Sequence, residues 1–172
     1  NVQRGENAKV SILTERLECG TLQQMIDGFS GGIPESVVRR FTKELVQAIS
    51  YCHNNGVTHR DVKPTNLLLT SDGDVRLTDF GTAFDHMKQS EHDLEVAGTA
   101  AYMPPEVLEV SRNKNRSVEY FRAHDVWSIG CTVHQLLTGV VPWAHTKLTP
   151  FALVMHIAKE RKFPITAMVS DI

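Results

Sequence analysis

The chain lacks the features that mark several specialised classes of protein. None of its apolar runs approaches the roughly 20 residues that a membrane-spanning helix requires, so we expect no membrane partner. The formal net charge is only −2, which gives no reason to expect nucleic acid as a partner. The three cysteines (Cys19, Cys52 and Cys131) show no metal-site spacing, and we expect them to stay reduced in a cytoplasmic protein.

Metal binding by histidine is not favoured either, although the chain has eight histidines. The best candidates, His86 and His92, fall in a polar segment that we expect to be a mobile loop, which disfavours zinc. With 172 residues, of which 41% are hydrophobic and 22% charged, the chain has the composition of a single ordinary globular domain.

A dense group of polar, chemistry-bearing residues lies between Thr58 and Gly81. Within this stretch, residues 67–69 and 75–77 are short apolar runs joined by a turn that contains Asp72-Gly73. An Asp-Gly pair between apolar runs predicts a β-hairpin. The segment from Asp61 to Asn66 is too short for a helix and contains a proline, so we predict a loop there.

The predicted hairpin folds Asp79 back beside Asn66 and Asp61. Three oxygen-bearing side chains would then converge on one point, with the cation of Lys63 nearby. Magnesium prefers one or two carboxylates together with the phosphates of a substrate. The arrangement therefore indicates a site for a metal-bound phosphate compound.

Four motifs follow one another along the chain, and they are HRDVKPTN, TDFG, GTAAYMPPE and DVWSIGC. Together they resemble the motifs of eukaryotic-type serine/threonine protein kinases. HRDVKPTN resembles the catalytic loop of that family, and TDFG resembles its magnesium loop. GTAAYMPPE, from Gly98 to Glu106, resembles the end of the activation segment. DVWSIGC, from Asp125 to Cys131, resembles the buried helix beneath it. ECGTL (residues 18–22) and GTAAYMPPEVLE are most similar to the mitogen-activated kinase kinase kinase branch.

The resemblance implies an α+β, protein-kinase-like fold made mostly of the helical C-terminal lobe. Residues 1–14 would be the remnant of the β-rich N-terminal lobe, 15–20 the hinge, and 21–172 the C-terminal lobe, truncated before its last helices. The glycine-rich loop, strand lysine and helix glutamate of the family are not found. Residues 28–32 are GFSGG, and Lys9 lies too close to the hinge to pair with phosphate.

The same resemblance assigns catalytic roles. Asp61 would accept the proton of a substrate hydroxyl, and Lys63 would neutralise charge on the transferred phosphate. Asn66 and Asp79 would hold Mg²⁺ for ATP. Thr99 matches the threonine that faces the catalytic aspartate and lysine in enzymes that act on serine and threonine.

For the adenine of ATP, the resemblance implies contacts from the hinge. The carbonyl of Glu15 and the amide of Leu17 would face the base, and Leu68 would pack beneath it. Thr14 would guard the pocket behind the base. An edge strand that runs into a turn explains the hinge residues without a ligand, and only the downstream motifs favour the hinge.

The activation segment carries a second expectation. Arg60 resembles the arginine that grips an activating phosphate, yet no Ser, Thr or Tyr lies between Glu91 and Ala97. We hypothesise that Glu95 partly substitutes, with one negative charge against roughly −1.5 to −2 for a phosphate. A solvated glutamate explains the residue equally well. His59 and Phe80 are expected to be structural.

The spacing of apolar residues along the sequence predicts three helices. One runs from Pro34 to Asn54. A second, from Asp125 to Thr138, is apolar on nearly all sides and is predicted to be buried, with Asp125 as its cap. A third begins at Thr149-Pro150 and continues to about Lys159, with Phe151, Val154, Met155 and Ala158 predicted to face inward.

We therefore predict that the parent domain transfers phosphate from ATP to serine or threonine of a protein substrate. The isolated chain is expected to be poorly active or inactive, since the family requires the missing lysine and glutamate. A pseudokinase or scaffold module and a small-molecule phosphotransferase of similar fold are the alternatives. The oligomeric state is left open.

Overall fold

The computed structural model describes residues 14–88, 96–111 and 118–164. Within these ranges the helices are α1 (Leu22–Asp27), α2 (Glu35–Asn54), α3 (Val118–Thr138) and α4 (Pro150–Glu160). The strands are β1 (Val57–Thr58), β2 (Leu67–Leu69), β3 (Val75–Leu77) and β4 (Phe84–Asp85). None of these helices combines the length and apolar character needed to span a bilayer. The predicted α+β class with a helical majority is confirmed.

Helix α2 forms one wall of the main core. Pro34 was predicted to be the first residue of this helix. It is instead the N-cap residue, and the helix begins at Glu35. Its buried side chains recur every three to four residues, and they are Val38, Phe41, Leu45 and Ile49. They pack against α1, the β2–β3 hairpin and Leu136 of α3. Burying each such side chain contributes about 1.5–3 kcal/mol, so this stripe holds the hairpin in place.

The β2–β3 hairpin has the predicted bounds. Strands β2 and β3 are antiparallel with Leu67 opposite Leu77. A carboxylate of Glu44 accepts the amide of Val75 at 2.7 Å and the Nε of Arg40 at 3.0 Å. Arg40 also reaches Asp74 at 2.8 Å. Because Arg40 is half exposed, these ion pairs add little free energy, and they serve mainly to orient the hairpin on α2.

Helix α3 begins at Val118, seven residues before the predicted start. The prediction that it is buried because it is apolar all round is wrong, since Val126 is 62% exposed. Its most deeply buried side chains instead include a polar stripe at spacings of three, four and three residues. We call Asp125, Ser128, Thr132 and Gln135 the polar stripe. Buried polar groups are tolerated where they are hydrogen-bonded, and each of these four is.

A second core joins α3 to α4. Trp127 and Trp143 stack with ring centroids 6.3 Å apart, and Phe163 meets Trp127 edge-on. Thr149 caps α4 through its hydroxyl, as its Thr-Pro start predicts. The predicted inward face of α4 is partly wrong, because Phe151 is 77% exposed and Met155 is also exposed. Its buried residues are Leu153, Val154 and Ile157.

Candidate active site

The backbone at His59 and Arg60 is anchored by the carboxylate of Asp125. Oδ1 accepts the amide of Arg60 at 2.8 Å, and Oδ2 accepts the amide of His59 at 3.0 Å. Asp125 therefore does not cap α3, because the helix starts two turns earlier. Arg60 has a φ of 66°, a left-handed conformation that is costly for a residue other than glycine. The two bonds to a fully buried carboxylate hold this strained turn and so aim the next residue, Asp61.

Four of the five predicted catalytic residues meet at Asp61. Oδ2 of Asp61 accepts Nζ of Lys63 at 2.7 Å and Nδ2 of Asn66 at 3.2 Å. Oδ1 accepts the hydroxyl of Thr99 at 2.8 Å. Lys63 Nζ also lies 2.7 Å from Thr99 Oγ1, so these three residues form a closed hydrogen-bonded ring.

These contacts set the charge of Asp61. Desolvation by burial acts to raise the pKa of this carboxyl, but the hydrogen bonds from Lys63, Thr99 and Asn66 and the charge of Lys63 together lower it below its usual value. Asp61 is therefore a carboxylate at neutral pH, and it can accept one more hydrogen bond in addition to those from its protein partners.

Asp79 follows the β2–β3 hairpin, and its neighbour Thr78 contacts this group. The amide of the neighbouring Thr78 donates to the carbonyl of Asn66 at 3.0 Å, and the carbonyl of Thr78 bonds Nε2 of His59 at 2.9 Å. The hairpin thus returns the chain beside Asn66, as predicted. Asp79 itself has a φ of 61°, and its exposed carboxylate accepts the amide of Gly81 at 3.3 Å.

The segment from Gly98 to Glu106, predicted to be the end of an activation segment, packs directly on the predicted catalytic loop. Gly98 has a φ of 111°, and a Cβ at this position would lie 2.5 Å from the carbonyl oxygen of Arg60. Only glycine permits this approach. Ser128 of the polar stripe donates to the carbonyl of Tyr102 at 2.8 Å, which fixes the other end of the same segment. Thr99 is therefore held from both sides against Asp61.

A family model described as the protein kinase domain matches residues 3–170. The chain belongs to the protein kinase domain family. Mitogen-activated protein kinase kinase kinase 5 of Arabidopsis thaliana is 36% identical over 133 residues, which cover 77% of this chain and 18% of that protein. Cell division control protein 7 of Schizosaccharomyces pombe is 36% identical over 165 residues, which cover 96% of this chain and 14% of that protein.

A probable serine/threonine-protein kinase of Dictyostelium discoideum is 33% identical over 169 residues, or 98% of this chain and 25% of that protein. The chain thus spans a quarter or less of the length of these three relatives. Members of the kinase kinase kinase branch and kinases with other names match at similar identity. The branch assignment therefore stays a prediction.

Asn66 and Asp79 are the candidate magnesium ligands of this kinase domain, because both carry side-chain oxygens. The NH₂ group of Asn66 donates to the carbonyl and the carboxylate of Asp61. Its amide oxygen therefore points away from Asp61 and is available as a metal ligand. Asp79 has an exposed carboxylate and directly follows Thr78, whose amide donates to the carbonyl of Asn66. In the described ranges no three His, Cys, Asp or Glu side chains are grouped as metal ligands. Magnesium needs few protein ligands when phosphates supply the rest.

The predicted hinge residues lie on a segment without regular secondary structure that leads into α1. Glu15 is exposed and Leu17 is half buried. At the end of this segment the carbonyl of Gly20 accepts the amide of Leu69 at 3.0 Å, and Thr21 forms a bridge with Leu68. Gly20 and Thr21 therefore pair with β2, which carries the predicted adenine-facing Leu68. Residues 1–13, which include Lys9 and the predicted N-lobe strand, lie outside the described residues.

The side chain of Arg60 has partners within the described residues. Its Nε donates to the carbonyl of Thr82 at 2.6 Å, and its guanidinium carbon lies 5.6 Å from the centre of the Phe84 ring. Glu95 and His92 lie outside the described residues, so the hypothesis for Glu95 stays a prediction. His86 lies in the turn that follows β4, so the loop assignment is confirmed there. Its Nε2 lies 2.8 Å from Thr58 Oγ1 and its ring packs on Phe84, so the side chain is packed against its neighbours.

Sequence reasoning missed His53. Its Nε2 lies 2.7 Å from Oδ2 of Asp125, the same oxygen that accepts the amide of His59. A single histidine near the end of a helix gives no local signal, since its partner is 72 positions away. His59 and Phe80, predicted to be structural, are in edge-to-face contact at 4.8 Å, with His59 buried and Phe80 47% exposed.

Proposed function

We propose that the protein containing this chain transfers the γ-phosphate of ATP to serine or threonine hydroxyls of protein substrates. The observation that carries the proposal is the closed ring of Asp61, Lys63 and Thr99, with Asn66 on the same carboxylate. This ring brings a proton acceptor and a cation to one point, beside a hairpin end with oxygen ligands. Phosphoryl transfer depends on such positioning and charge neutralisation more than on covalent chemistry.

In the proposed reaction Asp61 orients the substrate hydroxyl and accepts its proton. The hydroxyl oxygen forms a bond to the γ-phosphorus, the bond from that phosphorus to the bridging oxygen breaks, and ADP leaves. Lys63 balances the charge of Asp61 before the reaction and would neutralise negative charge on the transferred phosphate. Thr99 holds both side chains in place and lies in the segment that would meet the substrate peptide.

Asn66 and Asp79 are the proposed magnesium ligands. When bound, Mg²⁺ would neutralise charge on the phosphates of ATP. On the adenine side we propose the carbonyl of Glu15 and the amide of Leu17 as hydrogen-bonding groups, with Leu68 beneath the base. The backbone bond between Gly20 and Leu69 supports this, since the end of the hinge segment then pairs with the strand that carries Leu68.

A protein substrate is favoured over a small metabolite by the segment from Gly98 to Pro105. This segment is built against the catalytic loop at Gly98 and against α3 at Tyr102, so it offers a fixed edge beside Asp61. The three cysteines are free, which supports a reducing, cytoplasmic location for the protein.

The test is phosphate transfer from radiolabelled ATP to protein by the full-length protein. Asp61→Asn removes the proton acceptor at constant size and should lower kcat by about 10²- to 10⁴-fold. Asp79→Asn should raise the magnesium concentration required for activity. Asp72→Asn, in the exposed turn of the hairpin, is the matched control and should leave activity unchanged.

Equal activity of Asp61→Asn and the control would overturn the proposed mechanism. ATP binding without any transfer by the full-length protein would favour the pseudokinase or scaffold alternative. Label on a metabolite and on no protein would favour a small-molecule phosphotransferase.

A further inference from the structure

Three parts of the chain are joined by a continuous line of side-chain hydrogen bonds. The hydroxyl of Tyr102 donates to Oε1 of Gln135 in α3. Nε2 of Gln135 donates to Oε1 of Gln23 in α1 at 2.8 Å. Nε2 of Gln23 in turn donates to Oδ1 of Asp27 at 2.8 Å. We call these four residues the glutamine relay.

The direction of the glutamine relay follows from its last member. The carboxylate of Asp27 can only accept, so Gln23 must present its NH₂ group and direct its oxygen at Gln135. Gln135 must then present its own NH₂ group, and its oxygen faces Tyr102. Burial raises the pKa of Tyr102, so its hydroxyl keeps its proton and donates. Every member is thus satisfied in one orientation only.

The central part of the glutamine relay is buried. Gln135 is 1% exposed and Tyr102 is 6% exposed. An apolar pair would fill the same space without the cost of removing an amide and a hydroxyl from water. A fully satisfied polar line instead specifies one relative position of the elements it joins, because any shift leaves a buried group unpaired.

The two ends of the glutamine relay lie at functionally different places. Tyr102 is three residues after Thr99, and its amide donates to the carbonyl of Thr99 at 2.8 Å. At the other end, α1 starts directly after Thr21, which bridges to Leu68 on the predicted adenine side. Helix α1 is therefore connected to β2 through Thr21 at its N-terminus. It is connected to the segment that contains Thr99 and Tyr102 through Gln23 and Gln135.

We propose that Gln23 and Gln135 are positioning residues that hold the segment from Thr99 to Met103 in place for a protein substrate. The inference rests on the proposed function, because it assigns that segment to peptide binding. Gln23 acts on the segment only through Gln135 and Tyr102. Breaking the relay on α1 should therefore loosen backbone amides that lie in a different part of the chain.

The test compares variants of Gln23 in the full-length protein, because this residue is only partly buried and its loss spares the core. Gln23→Met removes the acceptor for Gln135 at similar volume. Gln23→Glu combined with Asp27→Asn restores that acceptor, because the amide introduced at position 27 can donate to the new carboxylate. Gln47→Met, an exposed position on α2, is the matched control.

The first measurement is amide hydrogen exchange in residues 99–103 without ligand. Exchange should speed up by about 3- to 10-fold in Gln23→Met and return to the parent rate in the double variant. The second is steady-state kinetics, where Gln23→Met should lower kcat/KM for protein substrate by a similar factor, about 3- to 10-fold.

Unchanged exchange in residues 99–103 of Gln23→Met would overturn the inference, as would an equal effect of Gln47→Met. Faster exchange that the double variant does not reverse would also overturn it, since the lost acceptor for Gln135 would then not be the cause of the faster exchange. The exchange measurement needs no catalytic activity. If the protein transfers no phosphate, the proposed function fails while the relay is still decided by exchange.

Discussion

The hydroxyl of Thr99 donates to Oδ1 of Asp61 at 2.8 Å across 38 positions of sequence. Lys63 contacts both residues at 2.7 Å, so the end of the activation-type segment is part of the catalytic group itself. A displacement of this segment would remove one partner each from Asp61 and Lys63. The position of the segment and the geometry of the proposed base are therefore linked by two direct hydrogen bonds.

Replacing Thr99 by Val removes the hydroxyl and keeps the shape of the side chain. Since a hydrogen bond to a charged group contributes about 1.5–3 kcal/mol, we expect kcat to fall by about 10- to 100-fold. Thr99→Ser keeps the hydroxyl and should retain most of the activity. Steady-state kinetics of the full-length protein with a protein substrate measure both. Full activity of Thr99→Val would show that the ring is not needed for catalysis.

The lowered pKa of Asp61 predicts where activity is lost in acid. Burial acts to raise this pKa from 3.8, and the hydrogen bonds from Lys63, Thr99 and Asn66 outweigh it. The native state therefore binds a proton at Asp61 less readily than the unfolded chain does. Its contribution to stability is present above pH 3.8 and is lost as the pH falls through the lowered pKa.

The acid limb that Asp61 causes in the profile of kcat/KM should accordingly lie below about pH 4. Lys63→Met removes the side-chain hydrogen bond and the charge that lower the pKa, so the limb should move to higher pH. A profile of kcat/KM between about pH 3 and 9 in the full-length protein tests this, with Lys43→Met on the exposed face of α2 as control. An unmoved limb in Lys63→Met would show that another group titrates.

The parts of the fold predicted correctly are those that short sequence patterns determine. The Asp72-Gly73 turn between two apolar runs gave the bounds of the hairpin, because both strands and their turn lie within eleven residues. The end of α2 and the Thr149 cap of α4 follow from local backbone chemistry in the same way. Helix α1 was missed although its signal is local. Thr21 and Gln24 form a capping box, with Thr21 Oγ1 accepting the amide of Gln24 at 3.2 Å.

The buried face of α3 could not be predicted from its own sequence. Its apolar residues surround the helix, so no periodic stripe distinguishes a face. The side that is buried is decided by polar partners far away in sequence, such as Val62 for Thr132 and Tyr102 for Ser128. The error at Phe151 has the same origin, because four spaced apolar residues on α4 are compatible with more than one face.

Asp125 should be among the residues most sensitive to substitution. Asp125→Asn keeps the size but replaces one carboxylate oxygen by an NH₂ group, which faces the backbone amide of either His59 or Arg60. We expect a loss of about 3–5 kcal/mol in the free energy of unfolding, as for a broken buried charge interaction. Urea denaturation of the kinase domain within the full-length protein measures it. Asp85→Asn, at a half-buried site on β4, serves as the control.

His124 predicts a second, separate loss of stability in acid. It is buried in α3, and within the described residues its Nε2 has no hydrogen-bond partner. Desolvation lowers the pKa of His124 from 6.5 to about 4, against the opposing charge of Asp125. Between these two values the unfolded chain binds the proton and the native state does not, so stability should fall as the pH drops from 6.5 to 4.

The full effect, integrated over that interval, is about 3 kcal/mol, since each pKa unit corresponds to about 1.4 kcal/mol. His124→Phe fills the site without a titratable group and should flatten the dependence of the unfolding free energy on pH in this range. Urea titrations at pH 4.5, 5.5 and 7 compare the two proteins. His145→Phe, at an exposed position, controls for the loss of one histidine. If His124→Phe and the parent lost stability equally in acid, His124 would not be the group that takes up the proton.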